Sequence, residues 1–162
     1  MKISIIYHTE SKNTQTVAEL IADGARISDK TEVKCMPIED VDSDFLDASK
    51  AVFFGSPVYC GTYTWQMKKW LDTQNHALAG KLGAVFATEN HLGGGADFAE
   101  LSLIGCLLVY GMLVYSAGAS EGAPYTHFGA VCIREGDEKQ KERARIFGSR
   151  VAKKAVELFG EQ

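Results

Sequence analysis

Lys2-Ile3-Ser4-Ile5-Ile6-Tyr7, followed by His8-Thr9-Glu10-Ser11-Lys12-Asn13-Thr14 and then by Val17, Leu20, Ile21 and Ala25 at helical spacing, is the stretch that decides the architecture. It reads as an apolar strand, a polar turn and a helix whose start Asn13 or Thr14 is placed to cap. The alternation continues down the chain. After a turn at Ser28-Asp29-Lys30, Glu32 to Ile38 is a second strand, more polar, as expected nearer a sheet edge. Asp42 to Ala48 is a short helix. Ala51-Val52-Phe53-Phe54 is a continuous apolar run that ends at Gly55-Ser56-Pro57, the profile of a central strand stopping at a loop. Thr64 to His76 carries Met67, Trp70 and Leu71 as a helix face, and Leu82 to Thr88 gives a fourth strand. Gly93-Gly94-Gly95 breaks the chain before an apolar helix from Ala96 to Tyr110. Met112 to Ser116 starts a fifth strand, which Gly129 to Ile133 resumes. Asp137 to Phe159 is the closing helix, with Ile146, Val151, Ala155 and Leu158 as its apolar stripe. Strands alternating with helices predict an α/β fold, a parallel sheet with helices on both faces.

A chain of 162 residues with 46% apolar content predicts one domain, residues 1–162, with a sizeable core. The net charge of −4 is mild, and the mixed-charge stretch from Glu135 to Arg150 reads as a solvated helix face rather than a nucleic-acid footprint. The N-terminus lacks the long apolar region and small-residue cleavage site of a signal peptide, and no apolar stretch reaches membrane-spanning length. Cys35, Cys60, Cys106 and Cys132 are scattered singly, which leaves no C-x-x-C pair and no metal-ligand spacing. A reduced, cytoplasmic setting, with neither nucleic acid nor membrane as partner, is the expectation.

In an open parallel sheet, ligands bind beyond the carboxyl ends of the strands, where the strand order reverses. Attention therefore falls on three loops, Tyr7 to Thr14, Gly55 to Tyr63 and Thr88 to Gly95. In the first, Thr9, Ser11 and Thr14 place hydroxyls just before a helix, whose free N–H groups and dipole favour an anion, with Lys12 as a helper. The competing reading is a polar turn that merely caps the helix. The loop is neither the G-x-x-x-x-G-K-[ST] of a P-loop nor the G-x-G-x-x-G of a dinucleotide fold. A phosphoacceptor receiver domain needs a carboxylate where this third strand ends in Gly-Ser-Pro.

Thr9-Glu10-Ser11-Lys12-Asn13-Thr14 resembles the phosphate loop of flavodoxins, and Val17 to Ala22 their following helix. Phe54 to Thr62 with Gln66-Met67-Lys68-Lys69-Trp70-Leu71-Asp72 is similar to NAD(P)H:quinone oxidoreductases of the tryptophan-repressor-binding-protein type, as are Gly80 to Ala87, Gly93-Gly94-Gly95 and Gly111-Met112-Leu113-Val114. This resemblance implies a flavodoxin-like three-layer fold, a five-stranded parallel sheet in the order 2-1-3-4-5, with flavin mononucleotide (FMN) at the switch point. It implies the phosphate on Thr9, Glu10, Ser11, Lys12, Asn13 and Thr14. The ring would lie between Pro57, Val58, Tyr59, Cys60, Gly61 and Tyr63 on one side and Thr88, Glu89, Asn90, His91 and Gly93 on the other. Tyr59, Tyr63 and Trp65 would shield it. Gly61 would let its peptide turn toward the flavin N5. The chain departs from the resemblance in having Glu10 and Lys12 where flavodoxins commonly have glycines, so the loop is expected to avoid conformations reserved for glycine. Val109 and Tyr110 stand where the quinone reductases often have histidines, and the segment from Val114 to Tyr125 is shorter than in those enzymes.

The leading functional expectation from this resemblance is an oxidoreductase that passes electrons from NAD(P)H through FMN to quinones or related acceptors, with His127, in Pro124-Tyr125-Thr126-His127-Phe128-Gly129, as proton donor. The alternative is a flavodoxin-type one-electron carrier that docks to redox partner proteins. A third reading is a flavodoxin-like binding module without cofactor. A homo-oligomer is compatible with all three.

Overall fold

The computed structural model describes residues 1–27 and 29–160, so Ser28 of the expected turn lies outside the described residues. Its elements run β1 (Lys2–Tyr7), α1 (Asn13–Ala25), β2 (Glu32–Pro37), α2 (Ser43–Ala48), β3 (Ala51–Tyr59), β4 (Thr62–Tyr63), α3 (Trp65–Thr73), β5 (Leu82–Glu89), α4 (Ala96–Val109), β6 (Leu113–Val114), β7 (Gly129–Ile133) and α5 (Glu138–Phe159). The parallel sheet has the order β2-β1-β3-β5-β6. β6 pairs with Leu82 and Gly83 of β5, and β7 takes over alongside Val85 to Glu89. The predicted fifth strand is thus one sheet position filled by two segments, with the loop from 115 to 128 between them.

The strand centres are apolar on both faces because helices cover both. α1 and α5 lie on one side, packed on Ile3, Ile5, Phe53 and Phe86. α2, α3 and α4 lie on the other, packed on Ile6, Val52, Phe54 and Val85. The rings of Phe53 and Phe147 meet edge to face, 5.7 Å between centroids at 82°, and join sheet to α5. The stripe of α5 is Ala144, Phe147, Gly148, Val151, Ala152 and Ala155. Leu158 is exposed and Ile146 only half-buried, so those two expected positions fall outside it. The difference is a small rotation of the helix that lets Gly148 meet α1. A Cβ on Gly148 would stand 2.1 Å from the Ile21 carbonyl oxygen, and one on Gly24 1.8 Å from that of Arg145.

The third strand does not stop at Phe54 but runs through Gly55-Ser56-Pro57 to Tyr59. The Gly55 carbonyl accepts from the His8 amide on the β1 side, so by strand alternation the nitrogen of Pro57 faces that side too. β1 has ended there, and a residue without an N–H costs no ladder bond. Beyond it Tyr59-Cys60-Gly61-Thr62 closes a two-residue hairpin onto β4, with φ 50° at Cys60 and 82° at Gly61. Positive φ at both central residues is the requirement of a type I′ turn. Helix starts follow side-chain chemistry at Asp42, Thr64 and Asp137, each accepting from an amide three residues on. Among the described residues no helix is long and apolar enough to cross a membrane, and no group of His, Cys, Asp and Glu is arranged to hold a metal.

Candidate functional site

The loops that follow β1, β3 and β5 converge, as the topology requires. They enclose a cleft of about 260 Å³ lined by Glu10, Ser11, Asn13, Thr14, Pro57, Val58, Tyr59, Thr88, Glu89 and Asn90. Its floor is the entry to α1. The cap expected from Asn13 or Thr14 is not made, because both already lie within the helix. The N-cap is Lys12, left-handed at φ 67° and ψ 0°, and no side chain caps the helix. Lys12 thus takes up the conformation that the loop was expected to avoid, a strain of the kind stored at functional sites.

The consequence is a row of free donors. His8 N–H donates to Gly55 and Thr16 N–H to Lys12, but the amides from Thr9 to Gln15 have no partner among the described residues. The hydroxyl of Thr9 is buried and equally unpartnered. Buried polar atoms are normally satisfied, and a donor set left open at a helix N-terminus has the chemistry that suits an anion. Thr14 and Thr88 close the back of the cleft through a buried hydroxyl pair at 2.8 Å. These residues fit a phosphate monoester such as that of FMN without needing a buried cation.

Glu10 is the apparent misfit, and its neighbours account for it. Its Oε1 lies 3.2 Å from His8 Nε2 and 3.2 Å from Gln66 Nε2. The buried His8 ring is held at its other nitrogen by Glu39, 3.1 Å away. This chain of contacts ties the Glu10 carboxylate at the cleft rim to His8 and to Gln66 of α3.

Two glycines let the hairpin and the loop after β5 meet. A Cβ on Gly95 would stand 2.8 Å from both the Cα and the carbonyl oxygen of Gly61. Glu89 has a role the sequence did not reveal, its Oε2 accepting the Ala96 amide 3.1 Å away at the start of α4. Tyr59 is partly exposed at the cleft edge, and burial, then Glu10, raise its phenol above the ordinary range. Tyr63 turns away from the cleft. Its hydroxyl lies 3.4 Å from Cys106 Sγ, and burial and that contact push its phenol well up. With Trp65 and Cys60 it borders a separate groove beside α3.

His127 lines a different pocket, of about 590 Å³, together with Glu89, Gly93, Gly95, Glu100 and Arg143. Its loop is fastened by Arg150, whose guanidinium donates to the carbonyls of Glu121, Gly122, Ala123 and Pro124. His91 is exposed outside both pockets. Glu100 and Arg143, unnoticed in the sequence, each bury a polar atom without a partner. Burial, then Asp97 and Glu89, raise the Glu100 carboxyl well above the usual carboxylate range.

Comparison with known proteins agrees with this geometry. Residues 5–101 match the family model described as Flavodoxin. A flavodoxin of Clostridium saccharobutylicum is 46% identical over 98% of this chain and 100% of its own. An NAD(P)H dehydrogenase (quinone) of Archaeoglobus fulgidus is 27% identical over 97% of this chain and 98% of its own. Among solved structures, the flavodoxin, WrbA-like protein from Agrobacterium tumefaciens superposes with a TM-score of 0.78 at 26% identity, covering 96% of this chain and 98% of its own. The strand order, the open donor loop at the start of α1 and these similarities together establish that this chain belongs to the flavodoxin family, whose membership implies FMN as the cofactor.

Proposed function

We propose that the chain is a flavodoxin-type one-electron carrier that holds FMN by its phosphate in the 260 Å³ cleft and exchanges electrons with partner redox proteins. The observation that carries this reading is the 46% identity to a flavodoxin along essentially the whole of both chains. Quinone reduction, the leading expectation from the sequence, becomes the second reading. Its relatives stand at 27% identity, and the Archaeoglobus alignment spans 196 positions against 162 residues here, so that relative carries segments this chain lacks. The sequence match that favoured it also has a plainer origin. Met67 and Leu71 are buried in the core, and Lys68 pairs with Asp72 along α3, so the motif reports helix packing rather than an acceptor.

Bound FMN supplies the ring that takes up and releases electrons. The chain's own residues do the rest. The amides from Thr9 to Gln15 and the hydroxyls of Thr9 and Ser11 bind and orient the phosphate, while Pro57, Val58, Asn90 and the Thr14–Thr88 pair wall the cleft against water.

Anaerobic titration of the FMN-loaded protein with dithionite, set beside steady-state assays with NADH or NADPH plus a benzoquinone, tests the proposal. Uptake in two separate one-electron stages and nicotinamide turnover at background are the expected results. Turnover at about 1 s⁻¹ or faster with either nucleotide overturns it in favour of quinone reduction. On that second reading, which rests on the 27% identical NAD(P)H dehydrogenase (quinone) of Archaeoglobus fulgidus, His127 would deliver the proton.

A further inference from the structure

α4 carries apolar residues all round its axis, as in a helix that is buried on every side, yet one of its faces is bare. Phe98, Leu101 and Leu108 are 63%, 46% and 59% exposed, and with Gly105 they repeat at the heptad spacing of a helix-packing seam. Val109, 87% exposed, extends the seam at its C-terminal end. Leu92, also 87% exposed, lines the pocket that Phe98 borders and extends it at the N-terminal end. Asp97 is the one charged residue on this face of α4, and it stands at the end of the stripe.

The geometry points to a second copy of this chain as the occupant, with the α4 helices of the two copies packed antiparallel across a two-fold axis at Gly105. Area is the first argument. At about 200 Å² for a fully exposed apolar side chain, the five exposed residues offer roughly 700 Å², which approaches the roughly 800 Å² that each partner buries in a stable interface. That area is above the about 300–600 Å² of the largest apolar patch on a typical monomer.

Symmetry and charge supply the second and third arguments. With the axis at Gly105, positions four residues to either side meet, so an antiparallel copy sets Leu101 against Val109 of the partner subunit and the reverse, the self-complementary arrangement of an isologous dimer. A Cβ built on Gly105 meets nothing within 4 Å, so the helix has room there for a close approach. The chain carries a net charge of −4, and a seam whose one charged α4 residue stands at its end is where two like-charged copies can meet. At 1.5 Å per residue the two Asp97 side chains fall roughly 24 Å apart, beyond the screening length of about 10 Å. None of the residues lining the phosphate cleft lies on the seam.

Sedimentation equilibrium of the full-length FMN-loaded protein at tens of micromolar tests this. The wild-type chain is expected at twice 17.7 kDa, and the double variant Leu101→Glu/Leu108→Glu at 17.7 kDa with unchanged far-ultraviolet circular dichroism. A monomeric wild-type chain overturns the inference, as does a folded double variant that remains dimeric. Should the double variant fail to fold, Gly105→Cys decides. Mild oxidation is expected to link its two copies well beyond the wild-type background, and a dimer that shows no such link pairs by another surface and overturns the inference.

Discussion

Thr14 and Thr88, 74 residues apart in the chain, hold their hydroxyl oxygens 2.8 Å apart in a buried hydrogen bond that ties the start of α1 to the end of β5. The pair joins two of the three loops that form the cleft. Replacing Thr14 by Val keeps the shape and leaves the Thr88 hydroxyl buried without a partner, a loss of about 1–3 kcal/mol. Thr14→Val is expected to bind FMN about 10-fold more weakly and to unfold at lower urea concentration, read by flavin fluorescence titration and by denaturation of the apoprotein.

Glu10 brings a carboxylate to the rim of the proposed phosphate cleft, restrained by His8 and Gln66. Removing its charge favours the phosphate. Glu10→Gln is expected to tighten FMN binding several-fold at low ionic strength, with the gain shrinking as salt screens the rim. Binding titrations at 20 mM and roughly 500 mM salt, on either side of a Debye length of about 10 Å, check both halves.

Glu100, 1% exposed, carries a carboxyl oxygen with no hydrogen-bond partner and is raised well above the usual range by burial and by Asp97 and Glu89. A carboxyl whose folded pKa exceeds its unfolded one contributes stability that is complete below the unfolded value and lost as pH climbs through the folded value. Stability should therefore decline from the ordinary carboxylate range upward. Glu100→Gln should flatten that decline and gain roughly 1–3 kcal/mol over wild type above it, with a smaller difference near pH 4. Thermal unfolding across pH 4 to about pH 9 measures both chains.

The α1 and α5 helices touch backbone to backbone, with no space for a Cβ at Gly148 beside the Ile21 carbonyl. Gly148→Ala forces the helices apart and should cost at least the roughly 1–3 kcal/mol of an overpacked core, despite the better helix propensity of alanine. Urea denaturation at constant m-value reads the loss.

Hydrophobic period carried most of the fold. Every expected strand and helix is present, because runs such as Ile3 to Tyr7 and Ala51 to Phe54 are buried on both faces and α1 keeps Val17, Leu20, Ile21 and Ala25 inward. Local rules misled where tertiary geometry decides. Pro57 signalled a loop, yet it continues β3, because the neighbouring strand has already ended. Lys12 sits at a glycine position and still turns left-handed. At the site, the cluster of hydroxyls and open amides in the first loop, beside the cleft, was legible because its chemistry is local. The Glu39–His8–Glu10–Gln66 chain and the buried Glu100 were not, since each depends on residues brought together from different elements. His91, expected at the cofactor, lies outside the cleft, and Tyr63 faces Cys106.

The account rests on the open donors between Thr9 and Gln15 gripping a phosphate, and FMN and riboflavin differ by that phosphate alone. Parallel fluorescence-quenching titrations of the apoprotein with the two flavins isolate the contact. The expected result is one FMN bound per chain, with riboflavin at least about 100-fold weaker, a gap of about 2.7 kcal/mol. Equal affinity for the two flavins, or no binding of FMN, would contradict it.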